Sequence, residues 1–300
     1  MKILIGVDGS AASLEAVRLA AALLDPAADA VAVYFSPLEL EKRLPGRPRK
    51  IVDGAAAALF EEIRGLLPAG FAREPEMICS SKAAAMGILE SADGWKADLV
   101  VVGARGHGSL ERLFLGSVSR AVVHGATLPV LVARAAPPTD RGLRVLACHH
   151  PASAAALARV AGGLAWPPAT DGRVIAVTES LLAGPLPAWV QQRVRDPDVA
   201  AMAQAWKEEH EAEVSAIGGQ LAAFQQSLPA AFQGRQPIVA EGNPGERILE
   251  QVRADGTDLV LLGRTPTDAF SRWLLGSTSE AVLTHAPCSV LIVPVEKSSS

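Results

Sequence analysis

Two stretches of the chain carry the residue types that can hold an anion. Residues 103–119 read GARGHGSLERLFLGSVS, and residues 263–279 read GRTPTDAFSRWLLGSTS. In the first, Gly103 and Gly106 lack a Cβ, so backbone can approach a ligand closely and positive φ is allowed. Gly116-Ser117-Val118-Ser119 then opens a helix, whose free N–H groups and positive dipole end favour negative charge. Ser117 and Ser119 add hydroxyl donors, and Arg105 or His107 adds charge. The chemistry these residues suit is cradling a phosphate. A Gly-rich loop with a Ser-capped helix is also ordinary structure; its position after a strand and before a helix is what favours a site. The GxxxxGK[ST] pattern is absent, and there is no GxGxxG after a first strand.

The elements that must position this loop follow from a repeat. Asp98–Ala133 laid on Asp258–Val293, an offset of 160, gives 14 identities in 36 positions without a gap. Each half then reads alike. KILIGVD (2–8) and LRVLACH (143–149) are short apolar runs suited to buried parallel strands. Helical stretches follow near 11–24 and 152–165, then strands at 30–36 and 173–179. Residues 198–228 predict one long amphipathic helix of mixed charge. Weaker strands near 75–79 and 236–240 precede a helix, the strands 98–103 and 258–263, a helix after Gly116 or Gly276, and last strands at 129–134 and 289–294. Alternating strands and helices mean βαβ units, a parallel sheet and helices on both faces. The expected division is 1–136, a linker at 137–142 within RAAPPTDRG (134–142), and 143–300.

At these residues the chain resembles the universal stress protein family, whose ATP signature is G-x2-G-x9-G-[S/T]. Gly103, Gly106, Gly116 and Ser117 match it in full. ILIGVDGS resembles the family's opening, in which the aspartate, here Asp8, lies at the nucleotide. The resemblance implies that the end of the second strand, around Val33, supplies backbone contacts to adenine. It covers nearly the whole chain, as two family domains in tandem. It also implies two doubly wound α/β domains, each a five-stranded parallel sheet in the order 3-2-1-4-5, joined through their last strands as an intrachain pseudo-dimer. The expected ligand is ATP, with Mg2+ as a candidate companion.

The second copy departs from the pattern. Pro266 stands where the first has Gly106; it has no N–H to donate and a fixed φ. Asp268 adds negative charge, and CHHP (148–151) puts His149 or His150 where the first half has Asp8. The expectation is one ATP per chain, in the first half.

Bulk properties bound the rest. The chain has 300 residues, 28 basic and 32 acidic, a net charge of -4 and 49% apolar residues. That balance argues against a nucleic-acid binder and against a polybasic membrane surface. No apolar run has the length of a membrane span. Cys79, Cys148 and Cys288 form no CxxC, so reduced thiols in a cytoplasmic protein are expected. Neighbouring His149 and His150 point to opposite faces of a strand, which disfavours a shared metal. His124 and His285 lie near helix ends, where the dipole suits them. The basic run 40–50 is read as a solvated loop. No Ser-His-Asp or Cys-His set and no GxSxG is found, so no catalytic residue is assigned and any ATP hydrolysis should be slow. The function expected is a nucleotide-binding regulatory protein of the stress response, with an unidentified protein partner and a homodimer as its higher assembly. Two alternatives stand beside it: an ATP-independent interaction module, and a slow ATP-cleaving or adenylyl-transfer enzyme.

Overall fold

The computed structural model describes residues 1–38, 41, 49–104, 115–178, 190, 192, 195–264 and 275–295. In the first half the order is β1 (Lys2–Val7), α1 (Ala11–Ala22), β2 (Ala30–Phe35), α2 (Arg49–Leu66), β3 (Glu76–Cys79), α3 (Ala84–Trp95), β4 (Leu99–Gly103), α4 (Ser117–Gly125) and β5 (Val130–Ala133). The second half repeats it as β6 (Arg144–His149), α5 (Ala154–Gly163), β7 (Asp171–Thr178), α6 (Pro197–Ser227), β8 (Ile238–Glu241), α7 (Pro244–Asp255), β9 (Leu259–Arg264), α8 (Ser277–His285) and β10 (Ser289–Pro294). A single 3-10 turn, Ala230–Phe232, lies between α6 and β8.

All ten strands join one sheet in the order β3-β2-β1-β4-β5-β10-β9-β6-β7-β8. Each half therefore has the expected order 3-2-1-4-5. Every pair is parallel except the central one: β5 and β10 run antiparallel, with Leu131 opposite Leu291. Those two leucines are 160 residues apart, the offset of the repeat, so a pseudo-two-fold axis passes between them. The long helix expected at 198–228 is α6, and Asp196 caps it by accepting from the Asp198 N–H, ahead of Pro197.

The central strands are apolar on both faces because helices cover both. Every residue of β4 and of β5 is buried. Alternate residues feed opposite faces. Ile3, Ile5, Val31, Val33, Leu99 and Val101 pack with α1 and α2, while Leu4, Ala32, Tyr34, Val100 and Val102 pack with α3 and α4. Both layers continue through the centre into the second half, by Leu131 and Leu291 on one face and by Val130, Val132, Val290 and Ile292 on the other. The outer strands β3 and β8 are four residues long and only partly buried, short edges that offer little to a further strand.

Two buried arginines tie the halves at the centre. Arg134 donates from Nη2 to the Leu283 carbonyl of α8, 2.5 Å, and its backbone N–H donates to Ser289 Oγ, 3.1 Å. Arg264 donates from Nη1 to the Ala126 carbonyl, 3.1 Å, at the end of α4. Each places its cation at the negative end of the other half's last helix.

Candidate nucleotide site

The helices split by face: α1 and α2 lie on one side of the first half, α3 and α4 on the other. The chain therefore changes direction between β1 and β4, which are adjacent and parallel, with Ile3 opposite Leu99. In sheets of this kind ligands take the crevice at the carboxyl ends of the strands flanking that point. Asp8 follows β1 and Gly103 ends β4, so the switch point brings them side by side.

The turn after β1 is built by its own side chains. Asp8 is exposed, and its Oδ1 accepts from the Ser10 N–H at 2.9 Å and from Ser10 Oγ at 2.5 Å. Gly9 takes φ +77°, a conformation that favours glycine. Ser10 is the N-cap of α1 and accepts from the Ser13 N–H. Ser10 is not among the expected site residues, although DGS announces it: an Asp two residues before a hydroxyl cap closes such turns.

Gly103 has a different task from the one its type suggests. A Cβ there would lie 2.7 Å from the Ala12 carbonyl oxygen and 3.1 Å from the Ser13 nitrogen. The glycine lets the first turn of α1 lie against β4. Gly116 is the N-cap of α4, with φ -64° and ψ 153°, and its own N–H donates to the Ala104 carbonyl at 2.7 Å. A glycine cap has no side chain to satisfy the first-turn N–H groups of Ser117, Val118 and Ser119. Val118 is 39% exposed, which puts this helix end at the surface. Ser119, expected to donate to the anion, is buried, and its hydroxyl donates to the Gly103 carbonyl at 2.5 Å. Of the two serines, Ser117 is the one whose hydroxyl suits a ligand.

Val33, expected at the end of β2, instead pairs with Ile5 and Met77 inside the sheet and is 1% exposed. The carboxyl end of that strand is Phe35, opposite Val7, so Ser36 comes level with Asp8. Arg105, Gly106 and His107 lie outside the described residues, as do Pro266 and Asp268.

The second half keeps the frame and changes the groups on it. Val145 sits opposite Leu259 as Ile3 sits opposite Leu99, which makes His150 the counterpart of Asp8. His150 Nδ1 accepts from the Ala152 N–H at 3.3 Å, the bond Asp8 makes to Ser10. An imidazole closes the turn where a carboxylate does so in the first half. Burial lowers the pKa of both His149 and His150, and for His149 the charge of His150 lowers it further. His149 also stands against Phe224 of α6, ring centroids 5.2 Å apart. One extra residue lengthens this turn, HPASA (150–154) against DGSA (8–11), and brings Ser153 to the N-cap position of α5, where its hydroxyl donates to the His150 carbonyl at 3.3 Å. A Cβ on Gly263 would meet Ser153 Oγ at 2.0 Å and Ser153 Cβ at 2.2 Å. Helix α6 leans over the neighbouring strand ends: Thr178 Oγ1 donates to Glu213 at 3.2 Å, and His210 Nε2 lies 3.0 Å from Glu241. Two features persist. Gly276 caps α8 with φ -59° and ψ 154°, and Ser279 Oγ donates to the Gly263 carbonyl at 3.1 Å.

The sequence model of the Universal stress protein family matches residues 1–134 and 186–294. The chain belongs to the universal stress protein family. A universal stress protein of Mycolicibacterium smegmatis is 29% identical over 199 residues, which cover 66% of this chain and 62% of that protein. One from Mycobacterium tuberculosis is 35% identical over 144 residues, 44% of this chain and 45% of the other. The matched stretch thus spans less than two thirds of these relatives. Among solved structures, a universal stress protein from Archaeoglobus fulgidus superposes with a TM-score of 0.55 at 17% identity, covering 98% of each chain. A functionally unknown protein from Pseudomonas aeruginosa does so with a TM-score of 0.60 at 15% identity, covering 98% of this chain and 92% of that one. At such identity the likeness is one of fold. The family's tandem arrangement is what the ten-stranded sheet displays.

Among the described residues no group of three or more His, Cys, Asp and Glu side chains could hold a metal ion, and no helix is long and apolar enough to cross a membrane. Cys148 and Cys288 are buried free thiols whose pKa burial raises, that of Cys288 to about 12; Cys79 is exposed.

Proposed function

We propose that the first half of this universal stress protein binds ATP and that the chain serves as an ATP-loaded regulatory module of the stress response in the cytoplasm. The observation that carries the reading is the convergence at one switch point of Asp8, the end of β4 at Gly103 and a glycine-capped helix end at Gly116–Ser119. The phosphates would lie at the N–H groups of Ser117, Val118 and Ser119 and at the Ser117 hydroxyl, where the helix dipole favours them. Mg2+ would accompany the phosphates, its charge offsetting theirs. Adenine would lie toward the β2 end, at Phe35–Ser36. The full G-x2-G-x9-G-S spacing of Gly103, Gly106, Gly116 and Ser117 supports the same ligand. The groups assembled here are backbone donors, a hydroxyl and a carboxylate, which suit holding a triphosphate more than cleaving it.

Calorimetric titration of the full chain with ATP tests the assignment. Gly116→Val puts a branched side chain where the phosphates must approach, in an extended conformation that valine adopts readily. Binding is expected to vanish while the circular dichroism spectrum is unchanged. Parental affinity in the folded variant would remove the site from this loop.

A second reading, an interaction module in the second half, is favoured by α6. Its buried residues are Leu221 and Phe224, near its carboxyl end, and Met202 in its first turns is 41% exposed. A protein partner would find a long, largely exposed helix there, with or without ATP in the first half.

A further inference from the structure

The pseudo-two-fold axis sets each residue near it against its own counterpart in the repeat. Leu131 faces Leu291. Val130 and Val132 pair with Ile292 and Val290, which are each other's counterparts exchanged. On the helices beside the axis, Arg120 Nη1 donates to Glu280 Oε1 at 2.5 Å, and these two residues are also 160 apart. At a position that meets itself, the two copies of the repeat carry opposite charges. His124 Nε2, also from the first half, lies 3.4 Å from the other Glu280 oxygen.

We infer that Arg120 and Glu280 make this interface selective for unlike halves, so that the chain's own second half is the partner the β5 face accepts and a second copy of the first half is rejected. The apolar strand contacts do not discriminate, since Val, Leu and Ile on one edge fit either counterpart. The arginine side chains do not discriminate either, since Arg134 and Arg264 bond to backbone carbonyls and a carbonyl stands at the equivalent place in both halves. The bond from the Arg134 N–H to Ser289 Oγ favours the unlike pairing, because the first half has Pro129 at the position of Ser289. The charged pair discriminates by charge. Like halves would set Arg120 against Arg120, or Glu280 against Glu280, where unlike halves join the two. The pair is 45% and 32% exposed, so its attraction is modest, and the like-charged alternative is unfavourable by a similar amount. Selectivity comes from the difference between the two. With β5 and β10 joined inside one chain, association of whole chains must use another surface.

Single reversals in the full chain reproduce each forbidden pairing. Glu280→Arg sets two arginines together, and Arg120→Glu sets two glutamates together. Each is expected to lower the thermal midpoint, by on the order of 1–3 °C at low ionic strength. The double reversal, R120E with E280R, restores opposite charges with the sides exchanged and is expected to return the midpoint to within about a degree of the parent. At high salt the differences among the four proteins should shrink. A double reversal as low as the sum of the two singles would overturn the inference, and so would single reversals that leave the midpoint unchanged.

Discussion

The two halves of this chain place their strands alike and their polar groups differently. β1 and β6 sit in equivalent registers, β4 and β9 end on or next to equivalent glycines, and Ser119 and Ser279 make the same bond to those glycines. Yet one switch point presents an exposed carboxylate on a Gly-Ser turn, and the other a pair of imidazoles with lowered pKa, one extra residue and a phenylalanine from α6. The sheet constrains strand ends through hydrogen-bonded neighbours on both sides. The turns that follow have no such neighbours, so a duplicated sequence can change there without disturbing the core.

The largest expected effect that separates the halves comes from the paired glycines. Alanine at Gly103 would press on the backbone of Ala12 and Ser13, whereas alanine at Gly263 would press on the side chain of Ser153. Each substitution should destabilise by about 1–3 kcal/mol, the usual cost of overpacking. The halves should then differ in rescue. Ser153→Gly removes the atoms in the way and should recover most of the loss at Gly263→Ala. Trimming side chains around Gly103→Ala should recover none, because the obstacle there is main chain. Chemical denaturation of the two series distinguishes them, and equal rescue would show that the glycines do not differ as described.

The serine bonds should behave alike in the two halves. Ser119→Ala and Ser279→Ala each remove a buried hydroxyl that closes the end of β4 or β9. About 1 kcal/mol of lost stability is expected for each. A much larger loss at Ser119 than at Ser279 would mean that the shared frame is less symmetric than its bonds indicate.

Acid should separate the halves more gently. His149 and His150 have pKa values lowered by burial, so the folded state binds fewer protons than the unfolded chain near and below the ordinary histidine value of about 6.5. Stability contributed by the neutral rings is present above that value and falls as pH falls through it. Replacing both histidines with glutamine should flatten the stability profile between about pH 7 and pH 5. An unchanged slope in the variant would show that the rings are not what titrates.

Much of this arrangement is legible in the sequence, and the part that is not has identifiable causes. The strand positions follow from short apolar runs, and the repeat follows from an ungapped offset, because buried parallel strands tolerate few other residue types. The identities at Gly103, Gly116, Ser117 and Ser119 single out the loop in both copies. They do not separate residues that hold the fold from residues that face a ligand. Gly103 and Ser119 look like ligand groups by type, and only the proximity of Ala12 and the bond to the Gly103 carbonyl assign them to the frame. An apolar run does not announce which of its residues ends a strand; the register against β1 does, and it puts Val33 inside β2 with Phe35 at the end. The Arg120–Glu280 contact is invisible until the axis is known, since nothing in a repeat says which position meets itself.

The central claim is that one half of the repeat carries the nucleotide. Pro266 and Asp268, which lie outside the described residues, remove a donor and add repulsion by their chemistry alone. A lost hydrogen bond to a charged group is worth about 1.5–3 kcal/mol, more than one decade of affinity. The most direct measurement is the stoichiometry of ATP on the full chain by calorimetric titration, repeated on Gly116→Val and on Gly276→Val. The account predicts one ATP per chain, lost in the first variant and kept in the second. Two equivalent sites per chain, or loss of binding through Gly276 alone, would contradict it.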